Sequence, residues 1–178
     1  MAQYAFYQSP SPPNQPMPTS SSLAENVWCP RVTVACVVAR GDRFLMVEEE
    51  VLGEIAYNQP AGHLDPGETL QAAAVRETLE ETGHTIALDA FLGVWQWTSH
   101  EHGEQVLRFG FAGHVVAYDP DRSLDSGIRR ALWLRRDEIE AMGARLRSPL
   151  ILSTIDAWLD GRRLPLDTVA SMLPGAAP

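Results

Sequence analysis

The sequence is poor in cysteine and in basic side chains, and it contains no long apolar run. Its two cysteines, Cys29 and Cys36, cannot form a disulfide framework, and a metal site would need more ligands, so packed thiols in a reducing cytoplasm are expected. Lysine and arginine together number 14 against 23 acidic residues, which gives a net charge of -9. This balance argues against a protein that coats nucleic acid or an anionic membrane, because such partners need a positive surface.

No apolar run approaches the roughly 20 residues that a membrane-spanning helix needs. The N-terminal segment MAQYAFYQSPSPPNQPMPTSSS also lacks the basic-then-apolar layout of a secretory signal. The sequence therefore predicts a soluble protein.

With 178 residues, 45% of them hydrophobic, the chain can bury one proper core. Residues 1–27 are rich in proline, serine and glutamine and are expected to form a disordered N-terminal tail. One domain is predicted over residues 28–165, and residues 166–178, rich in proline, glycine and alanine, are expected to form a C-terminal tail.

From residue 31 onward the chain carries patterns of both strands and helices. The segments RVTVACVVAR and RFLMVEEEV are apolar and β-branched and meet at Gly41 and Asp42, which predicts a β-hairpin. Further strands are predicted near 86–98, near 106–118 and in ALWLRR, and two helices near 137–142 and 148–160. Strands and helices that mix without regular βαβ alternation favour an α+β layered domain with a mixed β-sheet.

One further helix is predicted over residues 70–82, with Thr69 as its N-cap and Gly83 as its C-terminal stop. An apolar stripe on this helix is expected to pack on the sheet; it consists of Ala72, Val75, Leu79 and Thr82.

The other side of this helix is acidic. At about 100° per residue, Glu77, Glu80 and Glu81 fall within an arc of roughly 100°. A solvated acidic surface is one reading of this pattern. A cation site is the other, because two carboxylates about 4 Å apart repel by roughly 1 kcal/mol in water but by about 4 kcal/mol at an effective dielectric near 20. Mg²⁺, which prefers a few carboxylates plus water and substrate phosphates, would supply the missing charge.

The segment GHLDPGETLQAAAVRETLEETG, residues 62–83, resembles the Nudix box, G-x5-E-x7-R-E-U-x-E-E-x-G-U, in which U is a bulky aliphatic residue. The fixed positions of the motif are matched by Gly62, Glu68, Arg76, Glu77, Glu80, Glu81 and Gly83. The segment departs from the motif at its two aliphatic positions, where Thr78 and His84 stand. These departures affect local packing more than chemistry.

Outside the box, the segments VTVACVV, NQPAGHL, QW, LRF and LRSPL are similar to the NudJ-like phosphatase branch of the Nudix hydrolases, and the resemblance covers most of residues 31–155. It implies an α/β/α sandwich and Mg²⁺-dependent attack of water on a diphosphate, with Mn²⁺ as an alternative ion. The implied substrates are nucleoside di- and triphosphates and the diphosphate of the thiamine pyrimidine precursor, with release of orthophosphate.

Two other functions stay open. One is another Nudix specificity, such as a dinucleoside polyphosphate or capped-RNA pyrophosphohydrolase, although the acidic pI of about 4.9 weighs against long RNA. The other is a catalytically silent domain that senses nucleotides, against which the complete set of box glutamates argues. Members of the family often form homodimers, and nothing in the sequence decides whether this chain does.

The resemblance assigns roles to the box residues. Glu77 and Glu81, one helical turn apart, are implied as metal ligands, and Glu80 as the next ligand or the group that orients water. The general base is implied to be Glu77 or Glu80. The carbonyl of Gly62 is implied as a further ligand.

Glu68 and Arg76 are expected to pair with each other and to orient the helix rather than to hold metal. Many members of the family carry a further acid on a later loop; here Gly127 stands at that place, and Asp125 could substitute if the loop bends. The acidic run at residues 48–50 could point inward, but a charged sheet edge is the preferred interpretation.

For substrate binding, Trp95 and Trp97 share one side of a strand and could stack on a base, with an ordinary core position as the alternative for one of them. Arg108 has small neighbours on its strand face, so contact with a phosphate and a plain surface position are equally open. His63 lies inside the box, where a contact with phosphate and a simple loop role are also equally open.

Overall fold

The computed structural model describes residues 29–98, 103 and 105–173. The tail predicted for residues 1–27 therefore lies outside the described residues.

Seven strands and three α-helices make up the described chain. The strands are β1 (Arg31–Arg40), β2 (Arg43–Val51), β3 (Glu54–Asn58), β4 (Ala61–His63), β5 (His84–Thr98), β6 (Gln105–Tyr118) and β7 (Ile128–Arg135). The helices are α1 (Leu70–Thr82), α2 (Arg136–Glu140) and α3 (Leu150–Leu159), with single 3-10 turns at Gly143–Arg145 and Leu166–Thr168. None of the helices described is long and apolar enough to cross a membrane.

The sheet is mixed, as predicted. Its main path runs β3-β2-β1-β6-β5, with β4 added to β1 and β7 added to β2. The pairing of β1 with β6 is parallel and the other pairings are antiparallel. The hairpin predicted at Gly41 and Asp42 is confirmed, since Arg40 pairs with Arg43 across it.

β1 and β2 stay together only next to their turn. Their register contains two pairs, Ala39 with Phe44 and Arg40 with Arg43, after which the strands separate. β4 occupies the space beside β1, where Gly62 pairs with Val34, and the segment before it contributes a hydrogen bond from the Cys36 amide to the Pro60 carbonyl (3.0 Å). The split divides the sheet into two halves, β4-β1-β6-β5 and β3-β2-β7, and we call the region between these halves the cleft.

Each face of the sheet carries its own core. On one face, α1 packs through Ala73 and Ala74 against β1 and β6. On the other face, α2 and α3 pack through Ile139, Ile151 and Ile155. Helices on both sides of a mixed sheet form the α/β/α sandwich that the sequence resemblance implied.

The bounds of α1 follow from its two ends. The Thr69 hydroxyl accepts a hydrogen bond from the Ala72 amide at 3.1 Å, and Gly83 ends the helix in the left-handed region with φ 70°. The predicted span of residues 70–82 is therefore confirmed. β3 and β4 were not predicted, because segments of five and three residues are too short to display a period.

The predicted core stripe of α1 is wrong for Ala72 but confirmed for Thr82, which is buried, and for Val75, which packs against the core on this face. The buried residues of α1 are Ala73, Ala74, Glu77, Thr78, Glu81 and Thr82. Ala72 is exposed. Polar residues can occupy this face because the Thr78 hydroxyl donates to the Ala74 carbonyl at 2.8 Å and the Thr82 hydroxyl to the Thr78 carbonyl at 2.6 Å. Two of the box glutamates thus point toward the protein rather than toward solvent.

The segment predicted as a C-terminal tail contacts α1. Gln71 Nε2 donates to the carbonyls of Leu166 (3.3 Å) and Val169 (2.9 Å). Both of these residues pack against the core on the α1 face. The domain boundary at residue 165 stays a prediction.

His84 is buried at an aliphatic position of the box motif. Its ring stacks on Tyr118 with centroids 4.4 Å apart, and its Nδ1 lies 2.9 Å from the Thr82 carbonyl. Burial is the main cause that lowers the pKa of His84 below its usual value. Folding therefore favours the neutral ring, whereas the unfolded chain takes up the proton near pH 6.5.

We expect His84 to make the protein less stable as the pH falls through 6.5 toward the lowered pKa of the folded state. Replacement by phenylalanine keeps the stacked ring but removes the proton, so the free energy of unfolding of His84→Phe should fall less between pH 7.5 and 5.5 than that of the wild type. Urea unfolding at several pH values measures this, with the exposed His114→Gln as a control. If the free energies of unfolding of wild type and His84→Phe changed with pH in parallel, the lowered pKa of His84 would be contradicted.

Candidate active site

The contact between β4 and α1 places Gly62 against Glu77. A Cβ atom built on Gly62 would overlap the carboxylate of Glu77. Glycine is thus required by close approach rather than by backbone conformation, and the carboxylate lies against the β4 backbone. The structure brings together two residues that the sequence separates by a loop and most of a helix.

Arg76 joins the box carboxylates. Its Nε and Nη2 donate to the two oxygens of Glu68 at 2.9 and 2.8 Å, and its Nη1 donates to Glu77 at 2.8 Å and Glu80 at 2.9 Å. Nη2 also donates to the His63 carbonyl at 3.0 Å. Hydrogen bonding to Arg76 is the main cause that lowers the pKa of Glu68. The predicted ion pair of Glu68 with Arg76 is present, and its role in orienting the helix stays a prediction.

Three carboxylates converge beside this arginine. Oxygens of Glu77, Glu80 and Asp125 lie within 4.8 Å of one another. The loop between β6 and β7 supplies Asp125, whose amide donates to the Glu80 carbonyl at 3.1 Å. Burial is the main cause that raises the pKa of Glu77; Arg76 acts to lower this pKa, and the charges of Glu80 and Asp125 act to raise it. The sequence left the role of Asp125 open, because a backbone hydrogen bond between distant segments has no sequence signature.

Glu81 is held differently from these three residues. Its Oε2 accepts a hydrogen bond from the Ala61 amide at 2.9 Å, and its side chain is buried. Burial raises the pKa of Glu81 to about 8. Glu81 lies outside the set of converging carboxylates, and its role as a metal ligand stays a prediction.

Arg108 is buried, with 7% of its surface exposed, so the surface alternative is wrong. It pairs in register with Thr33 on β1 and Trp95 on β5. Burial lowers the pKa of Arg108 to about 10, while the carboxylates of Glu81 and Glu49 act in the opposite direction. The charges that act on Arg108 thus come from both α1 and β2.

The other predicted substrate residues lie on β5 and β4, and of these only His63, next to Gly62, is placed beside the converging carboxylates, by the hydrogen bond that its carbonyl accepts from Arg76. Trp95 packs against the core on the α3 face, where its ring covers Gly110. Trp97 is half-buried further along β5, and His63 is exposed on β4. Stacking on Trp97 and a phosphate contact from His63 stay predictions, and Trp95 occupies the core position that was its alternative.

The acidic run on β2 is not a charged sheet edge, because Glu48 and Glu49 pair with both β3 and β7. Glu48 is buried and accepts hydrogen bonds from Arg130 Nη2 at 2.8 Å and the Tyr57 hydroxyl at 3.1 Å. Glu49 lies 3.3 Å from Arg147 Nε. The interpretation as a charged sheet edge is therefore wrong for Glu48 and Glu49. The sequence alone does not show where the strands separate or which strands pair with β2.

The converging carboxylates fit a divalent cation. Glu77, Glu80 and Asp125 offer oxygen donors only, and Glu77 is buried enough for repulsion among the three to be costly. Arg76 balances part of this charge through two of the three carboxylates. A hard cation with oxygen ligands is the group that such a donor set prefers.

The chain belongs to the Nudix family. The family model for the NUDIX domain matches residues 29–153, which extend from β1 to the first turn of α3. The protein is accordingly a hydrolase that acts on phosphoric anhydrides, and the family implies a small-molecule nucleotide substrate and a divalent metal.

The relatives agree with this assignment. The chain is 41% identical to the protein called Phosphatase NudJ of Escherichia coli K12 over 140 residues, which are 79% of this chain and 90% of the relative. A solved NUDIX hydrolase from Nitrosomonas europaea is 47% identical, covers 80% of this chain and 97% of its own, and superposes with a TM-score of 0.79. The MutT protein of Methanosarcina mazei Go1, at 20% identity and a TM-score of 0.60, shares the fold.

We expect Gly62→Ala to displace the Glu77 carboxylate, because the added methyl group occupies its position. Overpacking of this kind costs about 1–3 kcal/mol, so the variant should still fold while losing most of its phosphohydrolase activity and its affinity for Mn²⁺. Urea unfolding, phosphate release and metal titration measure the three quantities. A folded variant with wild-type metal affinity would contradict the close approach of β4 to Glu77.

Proposed function

We propose that the protein is a Mg²⁺-dependent Nudix phosphohydrolase that releases orthophosphate from nucleoside di- and triphosphates or from the thiamine pyrimidine diphosphate. The observation that carries the proposal is the convergence of Glu77, Glu80 and Asp125 beside Gly62. The similarity to a relative called a phosphatase supports the release of orthophosphate.

Glu77, Glu80 and Asp125 would hold the cation, with the Gly62 carbonyl and Glu81 as further donors. Mn²⁺ suits the same oxygen donors. The bound ion would neutralise phosphate charge and lower the pKa of a water molecule. The protein's own task is then positioning, which is what phosphoryl transfer chiefly requires.

Arg76 performs much of this positioning. Its guanidinium donates to both carboxylate oxygens of Glu68 and also to Glu77 and Glu80. It therefore fixes the rotamers of Glu77 and Glu80, whose carboxylates would otherwise repel each other. Burial raises the pKa of Glu77, and hydrogen bonding to Arg76 opposes this rise. Glu80 is less buried than Glu77, which makes it the better placed of the two to accept a proton from an attacking water.

The proposal also covers the partners, the location and the oligomeric state of the protein. A small phosphorylated molecule is the expected partner, and long nucleic acid is not, given the net charge of -9. We propose a cytoplasmic location from the sparse cysteines, and homodimer formation is a further proposal supported only by the family resemblance. Two alternatives remain, a dinucleoside polyphosphate or capped-RNA pyrophosphohydrolase and a non-catalytic nucleotide sensor.

We expect orthophosphate release from nucleoside diphosphates and the thiamine pyrimidine diphosphate in Mg²⁺, and a loss of at least a hundredfold in kcat for Glu77→Gln, because a neutral amide is a poor ligand for a hard cation. A panel that adds triphosphates, dinucleoside polyphosphates and capped RNA, with separate assays of orthophosphate and pyrophosphate, measures this. Glu54→Gln, an exposed change on β3, is the matched control.

Pyrophosphate as the product, or turnover of dinucleotides alone, would overturn the substrate assignment and keep the metal site. Binding without turnover, unaffected by Mg²⁺, would support the sensor.

Asp125→Asn should lower kcat by about tenfold or more and weaken Mn²⁺ binding, because one of the three converging charges is removed. Its backbone hydrogen bond to Glu80 survives the change, so the loop should keep its position. Kinetics and metal titration compare it with Asp121→Asn, an exposed change in the same loop. Equal behaviour of the two variants would exclude Asp125 from the site.

A further inference from the structure

Buried polar atoms without hydrogen-bond partners are concentrated beside the split between β1 and β2. Among the described residues these atoms are Thr33 Oγ1, Glu49 Oε1, Gln59 Nε2, Gln71 Oε1, Arg108 Nε, Arg108 Nη1 and Ser148 Oγ. All except the atom of Gln71, which lies at the start of α1, belong to segments that border the cleft. Leaving such atoms unpaired costs about 1–3 kcal/mol each, so a cluster of them needs a physical reason.

Arg108 and Thr33 form one wall of this cleft. They are register partners on β6 and β1, and both are buried. Two guanidinium nitrogens of Arg108 have no acceptor, although the side chain is only 7% exposed. A buried guanidinium with open donors is ready to bind a polar group that the protein itself does not supply.

Gln59 closes the cleft from the segment that joins β3 to β4. One end of its amide lies 2.7 Å from the Thr154 hydroxyl on α3. That hydroxyl has a single proton and lies 3.0 Å from the Leu150 and Ile151 carbonyls as well, so the amide is better oriented with its NH₂ toward Thr154. Its carbonyl then faces the cleft. In either orientation one polar end of Gln59 is buried and unpaired.

Ser148 and Glu49 belong to the opposite wall. The Arg147 amide donates to the Tyr57 carbonyl at 3.0 Å, so the segment that carries Ser148 is joined to the segment that leads into Gln59. Glu49 lies 3.3 Å from Arg147 without the geometry of a hydrogen bond. The cleft therefore offers guanidinium donors, a carboxylate acceptor, an amide and hydroxyl groups.

This mixture suits a neutral heterocycle better than a phosphate. A phosphate near Arg108 would also face the carboxylates of Glu49 and Glu81, which act on Arg108 electrostatically. A ring that carries an amino group next to nitrogen or oxygen acceptors can use both kinds of partner. The diphosphate would then lie at Glu77, Glu80 and Asp125, and Glu81, next to Glu80 on α1, is the residue of this helix whose charge acts on Arg108.

We propose that Gln59, Ser148 and Arg108 form a recognition pocket for the hydrogen-bonding edge of the substrate's heterocyclic ring, and that Gln59 and Ser148 determine specificity. The inference rests on the proposed function, because it assumes a ring-bearing diphosphate as substrate. The ring class is that of a nucleobase or an aminopyrimidine.

The test uses the full chain with Gln59→Leu and Ser148→Ala. Their matched controls are Gln71→Leu, a glutamine with an unpaired oxygen away from the cleft, and Ser153→Ala, an exposed serine on α3. Thr154 keeps its backbone partners in Gln59→Leu, so the fold should survive. Two readouts are compared: kcat/KM in Mg²⁺ for the preferred ring-bearing diphosphate and for inorganic tripolyphosphate, which has no ring, and equilibrium binding of free rings in EDTA.

Each cleft variant should lower kcat/KM for the ring-bearing substrate by about five- to thirtyfold, as expected for a lost buried hydrogen bond, with turnover of tripolyphosphate within twofold of wild type. Binding of the best of cytidine, uridine, adenosine, guanosine and the free thiamine pyrimidine should weaken by a similar factor. The controls should match wild type in both assays.

An equal loss on both substrates would assign a structural role to the residues and overturn the proposal. An absence of any loss would mean that ordered water pairs these atoms, and it too would overturn the proposal, as would a wild type that binds none of the rings. If the wild type binds a ring in EDTA, loses it in the cleft variants, and hydrolyses nothing, the pocket stands and the proposed hydrolysis fails.

Discussion

The repulsion among the carboxylates of α1 is the constraint on which the rest of the site depends. Glu77 and Glu81 point toward the protein, and Glu80 and Asp125 approach from the solvent side. Arg76 relieves part of the repulsion by holding Glu77 and Glu80 while its other edge is fixed by Glu68. Because one guanidinium cannot neutralise all of these charges, the proposed cation would relieve the repulsion that is left. In this proposal, the same atoms set the stability of the helix and its affinity for metal.

The separation of β1 from β2 is the second constraint. A continuous ladder between these strands would leave no space for β4, and without β4 the backbone of Gly62 would not reach Glu77. The same separation exposes the inner side chains of β2 and β6 to a common cleft, which is why Glu49 and Arg108 affect each other's charge although neither is at the surface. The proposed metal site on one side and the proposed ring pocket on the other thus both depend on one irregularity in the sheet.

Much of the α1 region could be predicted because its signals are local. Thr69 and Gly83 mark the ends of the helix, and the spacing of the box residues indicates the metal chemistry. The side of the helix that is buried could not be predicted from hydrophobicity, because Thr78 and Thr82 satisfy their own hydroxyl groups within the helix. The position of Asp125 and the burial of Glu48 depend on contacts across the chain, which no local pattern contains.

The absence of lysine from the sequence bears on how this cleft can hold its charges. Each of its cations is an arginine, whose pKa stays high enough for the charge to persist even where burial lowers it to about 10, as at Arg108. A lysine in the same position would lose its proton more readily and would offer no planar fork. A permanent, planar donor between Glu81 and Glu49 keeps the cleft polar and oriented before any substrate enters. Pre-organisation of this kind reduces the ordering that binding would otherwise require.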